Sequence, residues 1–485
     1  MSVVPGVTPE LAFVKAEGAV AMPDISKHFF YFQQSAEKPS LQTQARETLR
    51  ISSRLWLTSL LIFVITFPLF PLIAGSFTFI DGQPCMPNDT FASVTYLSIS
   101  GLLSGLAPIG GLIWSYGLRQ RSLFYSAGVY IVVQVGLLVV LIHLKLSDWR
   151  LILQQGLLLI YWLGAGCWHF MQLQQTSFAR ALAHYGIFVF LIVGSIISMW
   201  YVFQYTRKWP NILYGYRFVV HPLWYWVCIR ACGWLVACGW TRATSLAVQA
   251  VPFTFMLTKC YIGRYVSKQL PLVQFAIVNL LLAGAEALNY ITFLVRRKYL
   301  AKLMPSMQDR TLPYNPSAKL PITTVKEPPI QVQTSTVDAS SSCTWTEASQ
   351  SAQSSPREMS AVTLLVDNLH ITTLLADVIL EPLVALQLSA CEVMFFWIHD
   401  RNDPANYLRC ASEVSIVLAI QLPLGIFLLW WTRYKHNLSM PSVISKVIGR
   451  HFLVWFAGLT MAMAITSLRT MLASSQGFNY QMPFC

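Results

Sequence analysis

The sequence predicts an all-α fold, a polytopic transmembrane helical bundle of about eleven crossings with a disordered cytosolic linker. Two observations carry that reading. Hydrophobic residues make up 55% of the chain and charged residues 11%, whereas soluble domains average about 25% charged. Apolar runs that suit helical crossings of roughly 20 residues recur from Leu55 to Met471. The alternating short strands of a membrane β-barrel are not part of the pattern.

Residues 1–54 read as a polar cytosolic tail carrying Lys15, Lys27, Lys38, Arg46, Arg50 and Arg54. This tail has no apolar run of the kind a cleavable signal needs, so the first crossing is expected to act as its own insertion signal. An eight-helix block over 55–300 follows, with crossings expected near 55–75, 94–117, 122–142, 149–171, 184–204, 219–240, 245–263 and 270–294. In the second of these, Gly101 and Gly105 have GxxxG spacing and precede Pro108, a pattern for close helix packing and a bend. The loop cations Lys259, Arg264 and Lys268 fall on the outer side in this count.

Over 301–360 the composition turns to Pro, Ser, Thr and Gln, which cannot bury enough apolar surface to fold alone. Ser355-Pro356-Arg357 in this linker resembles a proline-directed phosphorylation site. Residues 361–473 read as an interfacial helix plus three crossings near 376–398, 408–431 and 450–472, and 474–485 as a non-cytosolic tail.

The net charge of +13 comes from Lys and Arg scattered over short loops, without an arm or dense patch, which excludes a nucleic-acid partner. The larger share of the 34 Lys and Arg falls on the N-terminal side of the membrane, placing the N-terminus in the cytosol. The sequon Asn88-Asp89-Thr90 lies in the loop after the first crossing and is expected to be glycosylated outside, while Asn437-Leu438-Ser439 faces the cytosol and is expected to stay unused. Such a protein belongs in the plasma membrane or an endomembrane of the secretory pathway, with the lipid bilayer as its partner. Ten cysteines show neither CxxC pairs nor His-linked spacing, so no metal and no cofactor is expected. Cys228, Cys232 and Cys238 read as packing residues, and Cys85 and Cys485 as available for an outer-face disulfide.

The densest information lies between Asp367 and Asp400. On an α-helix, Asp367, His370, Asp377, Glu381, Glu392 and His399 fall within roughly 80° of arc. One straight helix to His399 would far exceed a ~30 Å hydrocarbon layer, so a break is expected at Pro382. Asp367 and His370 would then face water on an interfacial helix, and Glu392 would lie inside the crossing. A carboxylate there costs about 2.5–3.5 kcal/mol on insertion scales and must pair, protonate or line water.

Glu286, Glu413, Arg230 and Arg469 also occupy apolar crossings. Arg230 is the expected partner of Glu286, and Glu392, Glu413 and Arg469 are expected to cluster in the outer third of the last three helices. Such a cluster reads either as a structural clamp or as a substrate or ion site. His169, in the aromatic run IYWLGAGCWHFMQLQQT, is either a proton relay or a residue hydrogen-bonded to backbone.

Transport of a small solute or cation along a path lined by Glu286, Glu392, Glu413, Asp377 and Glu381 is therefore the leading expectation. The alternative is a receptor or sensor of seven or eight helices that signals through the phosphorylatable linker. A membrane-bound acyltransferase stands third. The outline is similar to that of membrane-bound O-acyltransferases, without their local motifs, and His399 and Asp403 have three residues between them rather than the four of HxxxxD. No GxSxG, HExxH or phosphate-binding glycine loop is present, so no catalytic residues are assigned.

Overall fold

The computed structural model describes residues 40–80, 83–85, 121–144, 210–238, 245–293, 361–436 and 450–469, together with scattered positions over 95–103 and 153–194 and at 295 and 472. The chain forms helices α1 (Leu41–Thr66) and α2 (Leu69–Ala74), then strands β1 (Thr78–Ile80) and β2 (Gln83–Cys85), then α3 (Arg121–His143) and α4 (Pro210–Gly215). After a π-helical turn at Tyr216–Val220 come α5 (His221–Cys238), α6 (Ser245–Lys268) and α7 (Leu272–Ile291). The remaining helices are α8 (Ala361–Ile398), α9 (Pro404–His436) and α10 (Arg450–Met463), the last continued by a π-helical turn at Ala464–Leu468.

Among the described residues, Leu41–Thr66, Leu272–Ile291, His370–Ile398 and Pro404–Lys435 are long and apolar enough to cross a membrane, and Tyr125–Val140 and Phe452–Met463 are shorter apolar helices. The protein is therefore a helical integral membrane protein. The expected crossings at 94–117, 149–171 and 184–204 fall wholly or largely outside the described residues, as do the linker with Ser355, the sequons at Asn88 and Asn437, and His169.

Local sequence accounts for the element ends. Ser40 caps α1, its hydroxyl accepting from the Thr43 N–H at 3.3 Å. α1 begins at Leu41, so residues assigned to the N-terminal tail are already helical; Pro68 separates α1 from α2. Pro271 starts α7 directly after α6, forcing the two antiparallel. Asp403 caps α9 by accepting from the Ala405 N–H at 2.9 Å, with Pro404 at the first helical position. α8 ends with Asp400 at φ 50° and the Arg401 N–H donating to the Phe396 carbonyl at 2.9 Å, a left-handed cap.

α8 is the centre of the bundle. Some 89% of its apolar window is buried, against 22% for that of α9, so α8 has neighbours on every side while α9 presents a broad face to lipid. α1 lines one flank and α6 another. α6 is enclosed too, with nearly every residue from Pro252 to Lys268 buried. Bulky apolar side chains turned outward, among them Leu57, Leu61 and Val64 on α1 and Val273, Ile277 and Leu280 on α7, form the lipid-facing surface.

The break expected at Pro382 does not occur. α8 is one continuous helix of 38 residues with Pro382 inside it, about 57 Å at 1.5 Å per residue. Proline removes the donor to the Val378 carbonyl and loosens that turn; here the Ser59 hydroxyl of α1 donates to the adjacent Ile379 carbonyl at 2.8 Å and ties the loosened turn to α1. Gly425 of α9 packs against the same turn, where a Cβ would meet Val378 at ordinary contact distance, 3.4 Å. The interfacial helix over 360–380 is likewise not formed as expected. His370 is buried and stacks on Phe293 with ring centroids 3.5 Å apart, and Asp377 is buried as well. Of the two groups expected to face water, His370 is instead surrounded by the neighbouring helices, and the side chain of Asp367 lies outside the described set.

Candidate functional site: a ladder of buried ion pairs

The acidic stripe of α8 faces α6. Lys259 meets Asp377, Arg264 meets Glu381 and Lys268 meets Glu392, each step rising along both chains, so α6 and α8 run parallel. The antiparallel helices α7 and α9 add Glu286 and Glu413 to the two ends. The three carboxylates of α8 lie within about 60° of arc, whereas Lys259 sits about 140–180° around α6 from Arg264 and Lys268. Its long stem brings its ammonium round to the shared interface.

At one end, Lys259 Nζ lies 2.6 Å from Glu286 Oε1 and 3.6 Å from Asp377 Oδ1. The Tyr290 hydroxyl donates to the other Asp377 oxygen. In the middle, Arg264 Nε donates to Glu381 Oε2 at 2.6 Å, with a second guanidinium contact to the same oxygen, while Nη1 donates to Asn279 Oδ1. Asn279 is fixed in turn by its Nδ2 donating to the Phe275 carbonyl at 2.7 Å. Between middle and far end, Tyr261 donates to Gln387, whose Nε2 donates to Thr66 Oγ1 at 2.8 Å, tying α6, α8 and α1.

At the far end, Lys268 Nζ lies 2.5 Å from Glu392 and 3.1 Å from Glu413, and donates to Ser389 Oγ at 3.2 Å. Arg409 contacts Glu413 at 2.9 Å and reaches the Lys268 carbonyl at 2.6 Å, closing the turn between α6 and α7 onto α9. On a further flank, Arg217 donates to Ser267 Oγ at 2.9 Å and to His221 Nδ1 at 3.1 Å. Its guanidinium lies against Gly263, where a Cβ would come within 2.7 Å of Nη1. Glycine is required there for Arg217 to reach α6.

The middle of the ladder is sealed. The side chains of Arg264 and Glu381 are 4% and 8% exposed, whereas those of Lys259 and Glu286 are 20% and 21% exposed and that of Arg409 is 51% exposed. The end at Lys259 also carries an imbalance, because one ammonium faces two carboxylates. Cys260 Sγ and carboxylate oxygens of Asp377 and Glu381 lie within 4.8 Å of one another, a spacing metals use. Lys259 and Arg264 already occupy those carboxylates, so a divalent ion would be set against two fixed cations and the donor set does not suit one.

Several residue assignments change. Glu286 pairs with Lys259 rather than Arg230, whose side chain lies outside the described set. Glu392 and Glu413 do meet, through Lys268. Arg469 does not join them; it donates to Ser76 Oγ at 3.2 Å and lies over the rings of Tyr96 and Phe77 at 4.7 and 5.6 Å. The cations Lys259, Arg264 and Lys268, read from sequence as outer-loop residues, are the inner rungs. Their positions five and four residues apart in a helix with a buried surface all round were the available signal. His399, at the end of the acidic stripe, donates through Nε2 to the Ala74 carbonyl at 2.9 Å and serves the packing of α2 on α8.

Comparison with known proteins finds no matching family, no matching curated relative and no matching solved structure.

Proposed function

We propose that the protein is a multi-pass transporter that moves a small solute or cation, with the Lys259, Glu286 and Asp377 cluster as its coupling site. The observation that carries this reading is the charge imbalance at that end of the ladder: one ammonium between two carboxylates within an apolar bundle. Where two carboxylates share one ammonium in low dielectric, one of them is the group that takes up a proton or a monovalent cation. Binding and release of that charge changes what holds α7 against α6 and α8. The sealed pair of Arg264 and Glu381 acts as the barrier beyond it, and the carboxylates Glu392 and Glu413 with Lys268 and Arg409 form the opposite gate.

In this reading the N-terminus and the linker with Ser355 are cytosolic, Asn88 carries the outer glycan, and the membrane is the plasma membrane or a secretory endomembrane. The test is reconstitution in vesicles that contain a pH dye, with proton flux followed under an imposed Na⁺ or K⁺ gradient. Wild-type protein should raise the flux above that of protein-free vesicles. Glu286→Gln and Asp377→Asn should each lower it at least about tenfold while remaining monodisperse, since each removes one carboxylate of the cluster. Unchanged flux in both variants, or wild-type flux no faster than in empty vesicles, refutes the reading.

A further inference from the structure

An apolar groove of about 380 Å³ runs between α1 and α9, lined by Ala45, Leu49, Pro423, Ile426, Phe427 and Trp430, and it opens to the bundle exterior. Its surroundings are polarised along the helix axes. Towards the middle of α1 the neighbouring outward side chains are apolar, including Leu57, Leu60 and Leu61. Towards the start of α1 and the end of α9 the cations gather. Arg46 follows Ala45 and Arg50 follows Leu49, both exposed, and Lys435 is exposed one turn beyond Trp431, with its ammonium 5.2 Å from that ring.

Arg433 is the most informative member. It lies one turn beyond Trp430 and about 20° from Ile426 around α9, on the groove side. Its side chain is only 10% exposed, and one guanidinium nitrogen pairs with Glu47. The other terminal nitrogen, Nη1, is buried without a hydrogen-bond partner among the described residues. A buried guanidinium left only partly paired adds positive charge to this end of the groove, which an anion nearby offsets. Glu47 satisfies one side of Arg433, and Arg46, Arg50 and Lys435 leave this end positive.

We propose that this groove is a binding site for an anionic phospholipid, with one acyl chain between α1 and α9 and the headgroup phosphate held by the exposed Arg46 and Arg50, while the buried Arg433 adds positive charge at the same end. The profile matches that of the ligand: an apolar slot open to lipid along its length and cationic at one end only. The aromatic pair Phe427 and Trp430 lies along the slot, with Trp430 at the level where chain gives way to headgroup. The site is separate from the buried ladder and does not depend on the transport reading.

Native mass spectrometry of the full-length detergent-purified chain, titrated with phosphatidylglycerol or phosphatidylcholine, tests it. A single phosphatidylglycerol adduct should persist at activation that strips phosphatidylcholine. The double variant Arg46→Gln and Arg50→Gln should weaken that adduct about thirtyfold, from the usual contribution of each cation near an anionic lipid. Ala45→Trp, which fills the slot without changing charge, should abolish it; Ile426→Trp serves if the first variant is not monodisperse. Equal retention of the two lipids overturns the proposal. So does phosphatidylglycerol binding that survives the slot-filling variant, since that outcome means adsorption on surface cations or on another segment of the chain.

Discussion

The Arg264 and Glu381 pair gives the most direct measure of what the ladder contributes. Both side chains are sealed from solvent, at 4% and 8% exposure, and joined through Nε at 2.6 Å and a second guanidinium contact. Arg264→Met alone strands the Glu381 carboxylate, with the Cys260 thiol 3.5 Å away as a weak donor among the described residues. Glu381→Leu alone strands the guanidinium, with Asn279 as its remaining partner. Each single change should cost about 3–5 kcal/mol, the usual penalty for an uncompensated buried charge. The double variant removes both charges and replaces them with apolar volume, so the main loss is the donor to Asn279, about 1–3 kcal/mol. The two substitutions should therefore be coupled by at least about 3 kcal/mol, with the double variant more stable than either single one. Reversible unfolding in bicelles, by steric trapping, supplies the four stabilities. If the double variant loses what the two singles lose together, the residues do not act as a pair and the ladder is not an interhelical clamp.

Three further outcomes follow from local geometry. Gly263→Ala places a Cβ within 2.7 Å of Arg217 Nη1 and 3.0 Å of His221 Cε1 and should lower stability by about 1–3 kcal/mol, read as a fall in Tm that Arg217→Met in the same chain reduces. Asp400→Gly should raise stability by up to about 1 kcal/mol, because φ of 50° is strained for a residue with a Cβ; a lower Tm would contradict the cap assignment. Burial, and secondarily the nearby Arg401, holds the His399 imidazole below its ordinary range despite its bond to Ala74, so His399 stays neutral in the folded state at pH 7. Its stabilising contribution is present above the unfolded value of about 6.5 and is lost as pH falls through the lower folded value. An imidazole NMR titration showing a midpoint above that of a free histidine would reverse the sign.

Much of the acidic half of the ladder was legible in the sequence. Asp377, Glu381 and Glu392 share one stripe, and a stripe of carboxylates in an apolar run has to meet something polar. Glu286 and Glu413 could be flagged for the same reason. The cationic half was not legible. Lys259, Arg264 and Lys268 lower the hydropathy at the end of α6, so that end read as a loop, and they do not share one face. The break expected at Pro382 follows from proline's missing donor and leaves out the Ser59 hydroxyl that ties the loosened turn to another helix.

The sequence by itself determined that this is a helical membrane protein and that carboxylates would be buried in it, because hydropathy and helical period are properties of one segment at a time. Tertiary structure alone decided the partners: that Lys259 rather than Arg230 meets Glu286, that Arg469 turns to Ser76 and Tyr96, and that α8 passes unbroken through the centre. The physical reason is that a buried charge is stabilised by groups within a few ångströms in space, and here those groups lie as far as 393 residues away along the chain, as with Arg469 and Ser76.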